Sequence, residues 1–276
     1  MTRKAKLEVV GRTDTGRVRN HNEDCIGEDI EYGIVVLADG MGGYRGGEVA
    51  SAIAVETILS ELRGTLPKIS PNQVDEATGY YRGSLLARDS VIRANEAIHR
   101  ASQNQPEYQG MGTTVALAVF YDNRISLAHV GDSRIYRFRD GALKQITVDH
   151  TLLQELVDRG FYTEQEAKES LNKNLVTRAL GIETTVAVDI KEELALPGDI
   201  YIVCSDGLND MLDDEEIHLT INALGANLDK AAEALIRQAN QKGGKDNVSV
   251  ILARPTGAAT ESRGWLRTVA GWLSKR

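Results

Sequence analysis

The 276-residue sequence contains only two cysteines, Cys25 and Cys204, which stand far apart along the chain. Two such thiols form neither a disulfide framework nor a zinc site, and this usage is typical of a reducing compartment. The chain also has no uncharged apolar run of about 18 residues and no signal-peptide pattern at its start. We therefore expect a cytoplasmic protein without a membrane-spanning segment.

An excess of positive charge is also absent, because 32 Lys and Arg residues are outnumbered by 40 Asp and Glu residues, for a formal net charge of -8. A nucleic-acid-binding protein needs a basic surface, so this balance argues against a nucleic-acid partner. The sequence has neither a fixed-period repeat nor a P-loop. Its 42% hydrophobic and 26% charged residues are typical of a folded domain with a sizeable core.

The hydrophobic pattern predicts strands in runs, interrupted by helices. An apolar run at 34–38 indicates a strand buried on both faces. The segments 113–121, 124–130 and 133–139 are β-type runs joined by Asp-Asn and Asp-Gly turns, which predicts an antiparallel meander. Other predicted elements are helices at 48–62, 80–102, 150–159, 163–170 and 228–242, and strands at 185–194, 200–204 and 247–253. This order indicates the α+β class with antiparallel sheets.

We expect one domain over residues 7–254 and a separate basic tail over 255–276. The tail places apolar side chains within an arc of about 120° on a helix, with basic side chains opposite. The apolar set is Trp265, Leu266, Val269, Trp272 and Leu273, and the basic set is Arg263, Arg267 and Lys275. Two interpretations stay open: the tail packs back on the domain, or residues 263–276 dock on an anionic membrane or a partner.

Four aspartates share one local setting, because each lies at the end of an apolar run beside a small residue: Asp39, Asp132, Asp206 and Asp246. Strand ends bring such carboxylates to one rim of a sheet, where divalent cations would offset the cost of burying them. A donor set of oxygen atoms favours magnesium or manganese over zinc. A single Asp-Gly is more simply interpreted as a turn, whereas four such aspartates at strand ends favour a metal site.

Residues 16–24 carry a second signal, in which Arg19 is followed by Asn22, Glu23 and Asp24. Arginine binds phosphate oxygens with two parallel hydrogen bonds, so Arg19 is a candidate clamp beside a metal site. An exposed charged turn would explain the segment equally well. A further acidic run at 210–216 is interpreted as the first turn of a helix, where carboxylates complement the helix dipole.

Six motifs together resemble the PPM family, the metal-dependent type 2C serine/threonine protein phosphatases. The short Gly-Met-Gly-Gly form resembles the bacterial branch. The motifs, in family order, are Arg19-x-x-Asn22-Glu23-Asp24, Ala38-Asp39-Gly40-Met41-Gly42-Gly43, Gly110-Met111-Gly112-Thr113-Thr114, Val130-Gly131-Asp132-Ser133-Arg134, Cys204-Ser205-Asp206-Gly207-Leu208 and Lys245-Asp246-Asn247.

The resemblance implies a four-layer sandwich of two antiparallel β-sheets flanked by antiparallel helix pairs. It also implies hydrolysis of phosphoserine and phosphothreonine in proteins, in opposition to a cognate serine/threonine kinase. Two manganese or magnesium ions would lower the pKa of a bridging water, so that hydroxide attacks phosphorus directly. We expect the enzyme to be a monomer.

The resemblance also implies a role for each matching residue. Asp39 would bridge both ions, the Gly40 carbonyl would hold one ion, and Asp206 and Asp246 would hold the other. A third, weaker ion would bind between Asp132 and Asp206. Asp24 would bind through water in the outer coordination shell, and Arg19 would bind the substrate phosphate.

Two departures from the family pattern leave the acid that protonates the leaving group unassigned. Met41 stands where eukaryotic relatives carry a histidine, and Tyr44 stands where many bacterial relatives carry one. His21 and His150 are candidates, although each is more simply interpreted as a surface residue. The segment 149–180 occupies the place of the flap that influences substrate choice in bacterial relatives.

Two other functional classes stay open at this stage. One is a catalytically silent metal-binding module that recognises phosphoproteins, against which the intact Asp39, Asp206, Asp246 and Arg19 argue. The other is a metal-dependent phosphoesterase for small molecules or nucleotides, against which the ordered motifs argue.

Overall fold

The computed structural model of the protein describes residues 7–43, 46–163, 166 and 175–256. Within these ranges the chain forms eleven strands: β1 (Leu7–Asp14), β2 (Asp24–Asp29), β3 (Ile34–Met41), β4 (Gly112–Thr113), β5 (Val115–Tyr121), β6 (Arg124–Val130), β7 (Arg134–Arg139), β8 (Ala142–Gln145), β9 (Asp189–Leu194), β10 (Ile200–Cys204) and β11 (Val248–Pro255). The same ranges contain the helices α1 (Gly46–Thr65), α2 (Arg82–Asn104), α3 (Leu152–Asp158), α4 (Asp206–Asn209), α5 (Asp214–Leu224) and α6 (Leu228–Gln241).

The strands form two antiparallel sheets. One has the order β1-β11-β10-β7-β8, and the other has the order β2-β3-β5-β6-β9, with β4 paired to β3. Helices α1 and α2 cover the outer face of the second sheet, and α5 and α6 cover the outer face of the first. This arrangement of helices, sheet, sheet and helices confirms the predicted α+β sandwich.

Strand β3 shows why the layers assemble in this way. Its side chains alternate, so that Ile34, Val36 and Ala38 pack under α1 and α2, while Val35 and Leu37 face the other sheet. All five side chains are fully buried, which confirms the predicted strand with two buried faces. Because β3 is paired with β2 on one side and with β5 on the other, its last residues are fixed at the rim of the sheet.

The turns of the predicted meander also have the expected backbone. Asp122 and Asp140 adopt positive φ angles of 49° and 51° in the hairpins β5–β6 and β7–β8. Positive φ at the first turn residue matches the right-handed twist of the flanking strands, and Asp tolerates it better than most residues.

Several predicted boundaries were wrong. The run 113–121 is divided at Thr114 into β4 and β5, and the strand expected from residue 185 begins at Asp189. Strands β1, β2 and β8 were not predicted. Most of the predicted helix 163–170 lies outside the described residues, as do Tyr44 and the tail segment 263–276, so the docking role of the tail stays a prediction.

The acidic run was interpreted correctly as a helix start, because Asp213 and Glu216 form a capping box at α5. Within the described ranges, no helix combines the length and the apolar character that a membrane crossing requires.

Candidate active site

The candidate residues come from both sheets and meet at one rim. Asp24 begins β2 and lies opposite Asp39 of β3 in the ladder. Asp206 follows β10, and Asp246 precedes β11, in the other sheet. Asp132 lies in the connection from β6 to β7, where the chain crosses between the sheets. The structure therefore brings together the aspartates that the sequence singled out.

The backbone of Asp39 is held by the Thr113–Thr114 pair at the end of β4. The Asp39 amide donates to Thr114 Oγ1 at 3.2 Å, and the Asp39 carbonyl accepts from Thr113 Oγ1 and from the Thr114 amide, both at 2.9 Å. Thr114 Oγ1 also lies 2.7 Å from Ser133 Oγ, next to Asp132. These bonds fix the Asp39 backbone relative to the connection that carries Asp132.

Gly40 has no room for a side chain. A Cβ atom at this position would overlap the carbonyl of Gly47, in the first turn of α1. The Gly40 amide donates to the Glu23 carbonyl at 3.1 Å, which draws the segment before β2 against the same turn. Close approach of three backbone segments is the physical reason for glycine here.

The Asp24 carboxylate is buried, and only one of its two oxygen atoms has a hydrogen-bond partner. Its Oδ2 accepts a hydrogen bond from Ser205 Oγ at 2.8 Å, across the gap between the two sheets, while its Oδ1 is buried without a partner. Burial raises the pKa of Asp24 to about 6, although the nearby Ser249 and Ser205 hydroxyls act in the opposite direction. A buried carboxylate oxygen without a donor is what a nearby cation or its water would satisfy.

Burial and neighbouring negative charges also raise the pKa values of the other carboxylates. Loss of solvent, and then the charges of Asp24, Asp206 and Asp132, raise the pKa of Asp39 well above its usual range. The pKa of Asp206 is raised well above its usual range, first by loss of solvent and then by Asp132. For Asp132, burial and the charge of Asp149 raise the pKa to about 6. The rim therefore concentrates negative charge that a divalent cation would neutralise.

Arg19 forms an ion pair with one of these aspartates, Asp246. Its Nη2 donates to Asp246 Oδ2 at 2.6 Å, and about half of its side chain is exposed. The charge of Glu23 also acts on Arg19. Glu23 was not assigned a role from the sequence, yet burial raises its pKa and the Gly47 amide binds it. The position of Glu23 next to Asp24 in the Asn22-Glu23-Asp24 motif is the sequence feature from which its place in the site could have been predicted.

A cavity of about 790 Å³ opens beside Asp132 and Asp206. Its far side is formed by α3 and by the acidic run before α5. Arg134 and Lys242 line it, but they pair with Asp149 and Glu216 at 2.7 and 2.5 Å. The cavity therefore offers a predominantly acidic surface next to the carboxylates.

The histidine candidates occupy different settings. His21 is exposed, and its carbonyl accepts from Asn247 Nδ2 at 2.9 Å. His150, interpreted from the sequence as a surface residue, is only 4% exposed, and its ring binds the backbone of Gly131. That interpretation was wrong because the ring packs against His129, with 4.8 Å between the ring centroids, and its Nε2 lies 3.4 Å from Asp189 Oδ2. Met41, at the end of β3, has no proton to donate.

Comparison with known sequences decides the family. The sequence pattern described as Protein phosphatase 2C matches residues 17–252. The chain belongs to this family. The matched phosphatase 2C domain contains all seven residues assigned to the site from the sequence: Arg19, Asp24, Asp39, Gly40, Asp132, Asp206 and Asp246.

Two relatives and one solved structure illustrate the similarity. The phosphatase 2C domain is 39% identical over 251 residues to the serine/threonine protein phosphatase PstP of Mycobacterium tuberculosis H37Rv, covering 90% of this chain but 45% of PstP. It is 34% identical over 244 residues to the serine/threonine phosphatase stp of Listeria monocytogenes EGD-e, covering 87% of this chain and 93% of stp. The crystal structure of the PstP catalytic domain with two manganese ions matches with a TM-score of 0.77 and 35% identity, covering 91% of this chain and 99% of that one.

The residues at the rim fit divalent ions of the manganese or magnesium type. Among the described residues, no three His, Cys, Asp or Glu side chains already stand at metal-ligand distances from a common point. Ions of the magnesium type keep several waters among their ligands, and water can complete a site whose carboxylates stand apart. The all-oxygen donors and the unpartnered Oδ1 of Asp24 agree with an ion of this type.

Proposed function

We propose that the protein hydrolyses phosphoserine and phosphothreonine in other proteins and needs manganese or magnesium ions to do so. The observation that carries this proposal is the convergence of the Asp24, Asp39 and Asp206 carboxylates at one rim, beside the half-exposed Arg19 guanidinium. The names of PstP and stp as serine/threonine phosphatases support the substrate class. The chain spans less than half of PstP, so the proposal concerns this chain and not the remainder of that relative.

We assign the ligands as the family resemblance implies. Asp39 and the Gly40 carbonyl would hold one ion, and Asp39, Asp206 and Asp246 would hold a second. Asp132 with Asp206 would hold a third. The raised pKa of Asp39 and Asp206 supports this assignment, because ions would stabilise the charged carboxylates.

Asp24 would act in the outer shell, through the oxygen atom that has no protein partner. When bound, the ions supply a water of lowered pKa and neutralise charge on the phosphoryl group. Arg19 would orient the phosphate, and the Thr113–Thr114 hydrogen bonds would hold Asp39 in place. The cavity beside Asp132 and Asp206 adjoins the proposed site of the third ion.

A cysteine nucleophile is not part of the proposal. Burial raises the pKa of the Cys204 thiol to about 12, and burial followed by the charge of Asp24 raises the pKa of Cys25. Both thiols would be protonated at neutral pH and therefore poor nucleophiles.

We also propose that the enzyme acts in the cytoplasm as a monomer and opposes a cognate serine/threonine kinase. The two unpaired cysteines support a reducing compartment. Docking of residues 263–276 on a membrane or a partner is part of this proposal. Deleting residues 258–276 and measuring co-sedimentation with anionic liposomes tests it, and equal sedimentation of both forms would refute membrane docking.

The main experiment measures phosphate release from a phosphothreonine peptide with manganese, with magnesium and with chelator. The Asp206→Asn variant tests the site, and Asp140→Asn is the matched control, because Asp140 is exposed in a hairpin turn. We expect metal-dependent release that falls by at least about a thousandfold in Asp206→Asn and is unchanged in Asp140→Asn. Peptide binding without hydrolysis under any metal would instead favour a silent binding module, and a preference for small phosphate esters would favour a general phosphoesterase.

A further inference from the structure

His150 lies behind the proposed third metal site, at the start of α3. Its ring Nδ1 accepts a hydrogen bond from the Gly131 amide at 3.0 Å, and its own amide donates to the Gly131 carbonyl at 2.8 Å. One residue therefore satisfies both backbone polar groups of Gly131, which directly precedes Asp132.

Gly131 is held from its other side as well. Its φ angle is 107°, and a Cβ atom there would lie 2.6 Å from Thr114 Cβ. Thr114 in turn accepts from the Asp39 amide and lies against Ser133. The Gly131 backbone is thus clamped between the His150 ring and the residue that fixes Asp39.

The carbonyl of His150 completes this arrangement. It accepts from the Thr177 amide at 2.8 Å, and the Leu152 amide donates to the Leu175 carbonyl at 2.9 Å. An isolated bridge pairs Thr151 with Val176. The chain that leaves at Leu152 therefore returns at Leu175 beside the same histidine.

The protonation state of the ring agrees with an acceptor role. Because Nδ1 accepts from Gly131, the ring proton lies on Nε2, which is 3.4 Å from Asp189 Oδ2. Burial, followed by the charge of Arg178, lowers the pKa of His150, so the ring is neutral at physiological pH.

We propose that His150 is a positioning residue, which holds the Gly131–Asp132 backbone so that the Asp132 carboxylate is presented to a divalent cation. This inference rests on the proposed function, which assigns Asp132 as a metal ligand. In this role His150 does not donate a proton to the leaving group. Its Nδ1 instead accepts a hydrogen bond from the protein backbone.

Two amide substitutions separate positioning from simple packing. In His150→Asn the side-chain oxygen replaces Nδ1 and still reaches Gly131, whereas in His150→Gln the oxygen replaces Nε2 and does not. Manganese binding to each purified full-length variant is measured by the electron paramagnetic resonance signal of free Mn²⁺, without substrate. Asp132→Asn gives the reference for loss of the weakest ion.

We expect His150→Gln to raise the dissociation constant of the weakest Mn²⁺ ion by about 10- to 100-fold, as is usual when a residue that orients a ligand is removed. We expect His150→Asn to stay within about threefold of the wild type. Equal binding by the Asn and Gln variants, or unchanged binding in Asp132→Asn, would overturn the proposal. Melting in chelator checks that both variants fold.

A second readout applies if His150→Gln fails to fold. Amide hydrogen exchange at Gly131 should remain slow in His150→Asn, and exchange at the rate of an unprotected amide would overturn the proposal. Phosphopeptide hydrolysis by the wild type tests the proposed function separately. An active wild type with equal Mn²⁺ binding in both variants would refute the role of His150 alone, and an inactive wild type would refute the proposed function.

Discussion

Replacing Asp24 by Asn should stabilise the metal-free protein at neutral and alkaline pH. Asp24 is buried, and one of its oxygens has no hydrogen-bond partner. Its pKa rises from 3.8 to about 6 in the folded protein. A rise of this size corresponds to about 3 kcal/mol of lost folding free energy once the group is ionised. Asparagine has nearly the same shape without the charge, and the Asp39 carboxylate offers an acceptor for its amide.

The sign of this effect depends on pH. Well below pH 3.8 the carboxyl group is protonated in both the folded and the unfolded chain, so Asp24→Asn should change little. As the pH rises from about 4 to above 6, the unfolded chain ionises first and the wild type loses stability relative to the variant. The full gain of about 3 kcal/mol is expected near pH 8, which is about 6 to 12 °C in melting temperature for a domain of this size.

Thermal melting in chelator at pH 4.5 and pH 8 measures the effect, with Asp140→Asn as the control. Saturating Mn²⁺ should reduce or reverse the advantage of the variant, because cation binding stabilises the folded wild type. A loss of stability in Asp24→Asn at pH 8, or an equal gain at both pH values, would refute the electrostatic reasoning.

Two further substitutions test other parts of the site. Arg19→Ala should raise KM for a phosphothreonine peptide by about tenfold or more, since it removes a charge-assisted contact with phosphate. Steady-state kinetics measure this change, with Asp140→Asn as the control. An unchanged KM in Arg19→Ala would show that Arg19 only pairs with Asp246. Gly40→Ala should lower the free energy of unfolding by about 3 kcal/mol because its Cβ overlaps the Gly47 carbonyl. Urea denaturation measures this loss, Gly64→Ala is the control in open space, and equal stability of the two variants would contradict the packing argument.

The parts of the fold that could be predicted from sequence are those with a strong apolar pattern. Strand β3 and helix α6 were located to within a few residues because their buried side chains recur at regular spacing. Strands β1 and β2 were missed because they lie at the edges of their sheets and many of their side chains are only partly buried. Neither strand has an unbroken apolar run or a strict alternation of apolar and polar residues.

The residues of the candidate site could be predicted from the sequence for a different reason. Its aspartates stand at strand ends next to glycine or other small residues, so the motif is local even though the residues are distant in the chain. The contacts that hold them are not local. The hydrogen bond between Ser205 and Asp24, and the two between His150 and Gly131, depend on how the layers pack, which spacing in one chain does not specify.

Because the candidate site draws on both sheets, the core between the sheets sets the distance between the proposed metal ligands. Asp24 and Asp39 extend from one sheet, and Asp206 and Asp246 extend from the other. The separation of the sheets is set by interlocking side chains between them, including the edge-to-face pair of Phe120 and Tyr201 at 5.3 Å. A change of volume in this layer would alter the distance between opposing carboxylates, and so metal selectivity would be tuned from residues that never touch an ion.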